Sequence, residues 1–350
     1  MRLNPSTPEF AASAQERASL RQGAQPEHWP RAWGPPAVSG RMRVQPEDFI
    51  VSESLPFELS GAGEHLYLKL RKTGQNTRWV ARQLAAAAGL KPLAVGFAGL
   101  KDRHAVTEQW FSLYLPGRPD PALPDMPGVE ILAAMRHTGK LRTGAVAGNH
   151  FRLTLRDLRG DISGLPARLE QIREQGLPNY FGSQRFGHDA ANLDLLSQPG
   201  AWRQREARSF GLSALRSALF NGYLASRIDD GSWTRRLSGE VVARGDERLP
   251  ASGLLWGVGP NHNEQLALAR DEAWFGAFPA TTALLEAAEV RMMRRALGVR
   301  PADLTWRSQA DTLVLEFSLP KGAYATSLLR EAGDFENAAT AGEEFGAAGD

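Results

Sequence analysis

The stretch Phe97 to Ser112, FAGLKDRHAVTEQWFS, sets one carboxylate, Asp102, between two cations, Lys101 and Arg103. Gly99 gives the turn backbone freedom and leaves room for a ligand to approach. An acid held among cations favours its charged form. Beside groups that can hold phosphate, an ionised carboxylate suits a nucleophile or a base acting on a nucleotide. A solvated Lys-Asp-Arg cluster on a surface turn is the plainer alternative.

Other clusters carry weaker signals. Gly148-Asn149-His150-Phe151 opens an alternating segment. Phe151 can stack on a base, a contact worth about 1–3 kcal/mol, and the Asn149 amide can orient a carboxylate or read a base edge. A turn asparagine before a core phenylalanine explains the same residues. Asn179 to Gly187, NYFGSQRFG, mixes three aromatics with Gly and Arg185, which suits RNA contact or a tightly packed corner. Lys72, Thr77 and Arg78 flank a Gly-Gln-Asn turn into a helix. Amides, hydroxyls and cations at a helix start can hold phosphate, and an ordinary capped helix start reads the same way.

These groups need a scaffold that mixes strands and helices. His65 to Arg71, Phe151 to Arg156 and Thr312 to Leu319 alternate apolar and polar residues. A period of two predicts half-buried strands, favouring an antiparallel sheet. Asn76 or Thr77 caps a predicted helix that Gly89 ends; Leu165, Leu169 and Ile172 stripe a second; Thr282 to Leu297 predicts a long third. There is no GxGxxG after a strand and no GxxxxGK[ST], which disfavours nucleotide-cofactor folds. Residues 1–36 read as a flexible extension and 337–350 as a flexible acidic tail. Residues 175–302 lack strong alternation until Glu240, as expected of an insertion that splits a sheet domain.

At 350 residues the chain exceeds the usual single core. It contains no cysteine, which excludes disulfides and thiol catalysis and fits a reducing compartment. Its seven histidines form no HxH or HxxxH pair, so no metal site is expected. The absence of an apolar leader or membrane-length run reads as cytoplasmic. Net charge is only +2, yet Arg136 to Arg156 holds five Lys/Arg and no acid. A local basic stripe suits a polyanion, or is simply a solvated face.

Taken in order, PEDFIV (46–51), GEHLYLKLRKTGQNTRWVA (63–81), FAGLKDRHAVTEQWFS (97–112), RTGAVAGNHF (142–151), LPNYFGSQRFG (177–187), RSFGLSALRSALFN (208–221) and LPKGAYATSLLRE (319–331) closely resemble the TruD family of tRNA pseudouridine synthases. That resemblance implies isomerisation of uridine to pseudouridine in tRNA, typically uridine 13 of the D-arm, without cofactor or metal. It places the catalytic aspartate on Asp102 and its neighbouring lysine on Lys101. It places substrate-binding residues on Asn149, Phe151 and Phe49, with a basic residue ahead of the PEDF turn at Arg43, where a relative has Lys. It implies an α+β fold: a catalytic domain with a curved antiparallel sheet (37–174 and 303–336) and a family-specific α/β insertion domain (175–302). The expected partner is tRNA and the expected state a monomer. Two other readings stand beside it: a tRNA-binding folding chaperone with incidental catalysis, and a small-molecule nucleoside lyase, against which the basic stripe argues.

Overall fold

A computed structural model describes residues 10–198, 200–242 and 247–341. The chain divides into two compact units: residues 36–167, 301–322 and 332 onward, and residues up to 35, 168–300 and 323–331.

The first unit is built on a ten-stranded sheet. Its strands before residue 168 are β1 (Val38–Met42), β2 (Phe49–Ser54), β3 (His65–Thr73), β4 (Val95–Phe97), β5 (Val106–Tyr114), β6 (Val129–His137) and β7 (Gly148–Gly160). Four short strands belong to the other unit: β8 (Leu177–Pro178), β9 (Ser252–Leu255), β10 (Met293–Ala296) and β11 (Gly298–Val299). The sheet is completed by β12 (Ala302–Gln309), β13 (Thr312–Pro320) and β14 (Asp334–Asn337), with main order β12-β13-β7-β2-β5-β3-β6. The three alternating segments are strands, and β13 buries Leu313, Leu315 and Phe317 completely. The sheet is mixed, however, rather than antiparallel: β2 pairs with β5, and β1 with β14, in parallel. Alternation reports which side chains face the core, not a strand's direction. The β2–β5 pair is reached through two intervening strands and a helix, as parallel neighbours require a long connection.

The sequence in this unit places α1 (Ala14–Ala24) aside, as it belongs to the other unit, and gives α2 (Thr77–Ala87). Asn76 caps α2, its side chain accepting from the Arg78 amide at 2.8 Å. Val80 and Leu84 pack with Leu66, Leu68, Leu70, Phe111 and Leu113, and none of these is more than slightly exposed. That burial fixes the helix against β3 and β5, the strands that flank the Asp102 turn.

The second unit contains α3 (Leu165–Gln175, its start in the first unit), α4 (Arg205–Asp229), α5 (Gln265–Gly276), α6 (Pro279–Ala287) and α7 (Ala325–Ala332, its last residue in the first). Leu165, Leu169 and Ile172 of α3 are buried as their stripe predicts. Three expectations change here. The long helix over 282–297 is instead α6 followed by β10, which pairs with β9; strand pairing overrides a helix-favouring composition. Residues 10–36 are ordered structure, not a flexible extension. In α1, Leu20 is buried and Gly23 lies so close to α4 that an added Cβ would stand 2.2 Å from the Ala218 carbonyl oxygen. Buried Glu16 accepts from the Thr281 amide at 2.7 Å, and Trp29 stacks on Tyr180 at 4.6 Å. A few anchors of this kind do not show up as a helical period. Third, residues 323–331 pack with 168–300 rather than with the sheet, and that unit begins at Arg168, ahead of 175. Of the expected acidic tail, residues 337–341 are strand end and short helix; 342–350 lie outside the described residues, as do 1–9 of the extension.

Candidate active site

Asp102 follows β4 in the turn that leads to β5, and hydrogen bonds hold that turn along its length. Gln109 donates to the Gly99 carbonyl at 2.6 Å, and Thr77 Oγ1 accepts from the Lys101 amide at 3.0 Å while donating to Gln109 Oε1 at 3.0 Å. Lys72 Nζ donates to the Asp102 carbonyl at 3.2 Å and to the Gln75 carbonyl at 2.9 Å. The carboxylate keeps about a fifth of its surface open (22%). Its Oδ1 accepts from the His104 amide at 3.0 Å, and its Oδ2 stands 3.0 Å from Arg43 Nη2. Two donors, one of them charged, therefore aim the acid.

Arg43 comes from the loop between β1 and β2. Its guanidinium carbon lies 4.0 Å from the centre of the Phe49 ring, so the cation is held by an aromatic face and a carboxylate together. Burial pulls it below the ordinary arginine value, and the Asp102 charge opposes that pull. Its backbone is left-handed, at φ 57°. A non-glycine residue pays strain there, which persists where the surroundings over-determine it.

The aromatic face continues across the sheet. Phe49 and Phe151 meet edge to face at 6.3 Å, and Phe151 stacks on Phe317 at 5.3 Å. The register sets Phe151 between Val51 of β2 and Phe317 of β13, with Asn149 opposite Glu53. Phe151 is only 7% exposed, so it backs the site more than it faces solvent. Asn149 is half-buried.

Lys101 has a different place from the one its adjacency suggests. Its Nζ lies 2.5 Å from Oε1 of Glu53, whose side chain is wholly buried and whose other oxygen accepts from the Trp110 amide at 3.0 Å. The cation on Asp102 is Arg43. Arg103 turns away and donates to the Gly74 carbonyl at 3.1 Å. Lys72 and Thr77 are buried, so they brace the turn from below instead of presenting a phosphate site. Arg78 is exposed on the first turn of α2. Burial brings Lys72 down to about 8, against the opposing pull of Asp102. Gly99 does not adopt a left-handed backbone; a side chain there would meet nothing within 4 Å, so the space beside the turn is open.

The basic stripe is largely spoken for. Arg136 binds Asp120 at 2.6 Å, Lys140 donates to the Leu93 carbonyl at 2.6 Å, Arg152 meets Glu316 at 3.3 Å, and Arg156 forks onto buried Asp48 at 2.7 Å. Its acids come from elsewhere in the chain, which a local count misses. NYFGSQRFG is a packed corner: Tyr180, Phe181 and Phe186 are buried, and Arg295 lies 4.1 Å from the Phe181 ring centre. Glu53, Gln109, Asp48 and Phe317 escaped sequence reasoning. Glu53 left one trace, an acid at a core-facing step of an alternating strand. Among the described residues, no cluster of three or more His, Asp or Glu is placed to hold a metal ion.

The fold is shared with a solved structure, the putative tRNA pseudouridine synthase D of Methanosarcina mazei. The two superpose with a TM-score of 0.64 at 21% identity, over 87% of this chain and 95% of that one. The chain belongs to the tRNA pseudouridine synthase D (TruD) family, whose model matches residues 31–198 and 277–332. The tRNA pseudouridine synthase D of Methylococcus capsulatus is 44% identical over 335 residues, 88% of this chain and 94% of that protein. That of Xanthomonas euvesicatoria is 42% identical, covering 88% and 95%.

Proposed function

We propose that the chain acts on uridine 13 of the tRNA D-arm, with Asp102 as the catalytic carboxylate on a flipped nucleotide. Family membership carries the coarser statement: it is a pseudouridine synthase, isomerising uridine to pseudouridine in tRNA. The observation that supports the finer reading is the aimed, partly open carboxylate of Asp102, 3.0 Å from an arginine that itself lies on Phe49.

The chemistry asks for such a group. The base must leave C1′, turn, and rejoin through C5, whose proton is then lost to the medium while N1 gains one. A carboxylate can attack C1′ and hold the ribose covalently, or remove the C2′ proton to give a glycal; both routes end in an isomer of the starting nucleotide. A uracil inside folded RNA must first be flipped out, at a cost of a few kcal/mol. The edge of the Phe49–Phe151 pair offsets part of that cost by contact with the base, and Asn149 reads its edge. Arg43 holds the carboxylate on line. Lys101 acts through Glu53, and Lys72 and Thr77 through the turn. Arg78 meets phosphate at the start of α2.

In this reading the sheet unit is the catalytic domain, and the expected insertion, 175–302, falls up to residue 300 within the other unit. The enzyme is a cytoplasmic monomer; no helix among the described residues is long and apolar enough to cross a membrane. Asp102→Asn, assayed by single turnover on a tRNA transcript, is expected to form no pseudouridine while binding the RNA within about twofold of wild type. Residual turnover near the wild-type rate would remove Asp102 from the chemistry.

A further inference from the structure

We propose that Leu100 is a wedge that enters the RNA base stack and holds open the place left by the target uridine. The inference rests on the uridine-flipping reading above and adds a residue to it. Leu100 is 60% exposed, and its position beside the carboxylate, rather than its exposure alone, singles it out. It stands two residues ahead of Asp102, in the same turn. The side chains of the next two residues turn inward: Lys101 is 13% exposed and Asp102 22%. Leu100 is the apolar group that the turn sends outward.

The backbone on either side of it is held. Gly99 is fixed through its carbonyl by Gln109, Lys101 through its amide by Thr77, and Ala98 accepts from the Gly144 amide at 2.7 Å. The space beside Gly99 is open. A rigid mount, an exposed branched side chain and free space around it are what an intercalating side chain needs. Apolar wedges of this kind, leucine among them, part base steps by partial unstacking. The cost of that unstacking falls on the same step from which the uridine leaves, so one contact serves both. Leu93, Phe97, Lys140, Leu141, Arg142 and Thr143 line an open cleft of about 560 Å³, joined to the turn through Phe97 and the Gly144–Ala98 hydrogen bond. The Arg142 side chain is exposed there, placed to meet the phosphates of the strand being parted.

The test uses full-length protein and a tRNA transcript with 2-aminopurine beside the target uridine. This base brightens when its stacking neighbour leaves. In an Asp102→Asn background, which stops the chemistry, bound tRNA is expected to brighten. Adding Leu100→Ala is expected to abolish most of that rise at matched RNA occupancy, and Leu100→Met to restore it. In the otherwise wild-type enzyme, Leu100→Ala is expected to lower kcat/KM by about tenfold or more, the scale set by a flipping cost of a few kcal/mol, with an unchanged melting temperature. An equal brightening with and without Leu100, or no brightening in the Asp102→Asn protein, overturns the wedge. A wild-type enzyme that forms no pseudouridine in this tRNA instead overturns the underlying reading.

Discussion

Arg43 does for Asp102 what the adjacent Lys101 is expected to do from sequence. Successive side chains in a tight turn point in different directions, so the neighbour in sequence is the wrong partner in space. Lys101 goes down to Glu53, and the cation comes from 59 positions away in the chain, by difference of the residue numbers. Its double contact makes a sharp prediction. Arg43→Lys keeps the charge but loses the planar face on Phe49. It should lower the single-turnover rate by roughly tenfold, about 1.4 kcal/mol of barrier. Arg43→Ala should cost more; a wild-type rate in Arg43→Ala would contradict the role given to it. The carboxylate itself, its turn and the aromatic residues at 49 and 151 were legible through motif resemblance. Glu53 and Gln109 were not, because a buried polar partner leaves no mark in a local pattern.

The elements around the turn can be tested through Lys72, which ties the end of β3 to the turn beneath Asp102. It titrates at about 8 in the folded protein, against about 10.5 for an ordinary lysine. Below pH 8 it is protonated in both folded and unfolded chains, and the full burial penalty is felt. Between about 8 and 10.5 the folded protein binds fewer protons than the unfolded one. The group's contribution to stability therefore rises with pH across that window. Urea midpoints of wild type and Lys72→Met, compared from pH 7 to pH 10.5, should shift in favour of wild type as pH rises. A constant difference would show that Lys72 is not depressed. At the neighbouring helix, Asn76→Ala should lower stability by about 0.5–2 kcal/mol through loss of the cap on α2. Strands with clean alternation and this capped helix were readable because their periods are local. The 282–297 segment was misread because its pairing with β9 is set by residues some forty positions earlier.

Across the two units of the chain, residues 10–35 change status. Their anchors, Glu16, Leu20, Gly23 and Trp29, act through contacts with residues far along the chain, so composition alone suggested flexibility. Gly23→Ala should destabilise by about 1–3 kcal/mol, since its Cβ would meet the α4 backbone; an unchanged melting temperature would mean that α1 does not pack there. The basic stripe changes in the opposite sense: four of its five cations have internal partners. Asp102-dependent isomerisation of uridine 13 can be measured directly. Carbodiimide-primer-extension mapping of tRNA should be run on a strain lacking the gene, carrying in turn no plasmid copy, the wild-type copy and the Asp102→Asn copy. Pseudouridine is expected at position 13 with the wild-type copy alone; pseudouridine there in all three strains, or its return with Asp102→Asn, would contradict Asp102-dependent isomerisation.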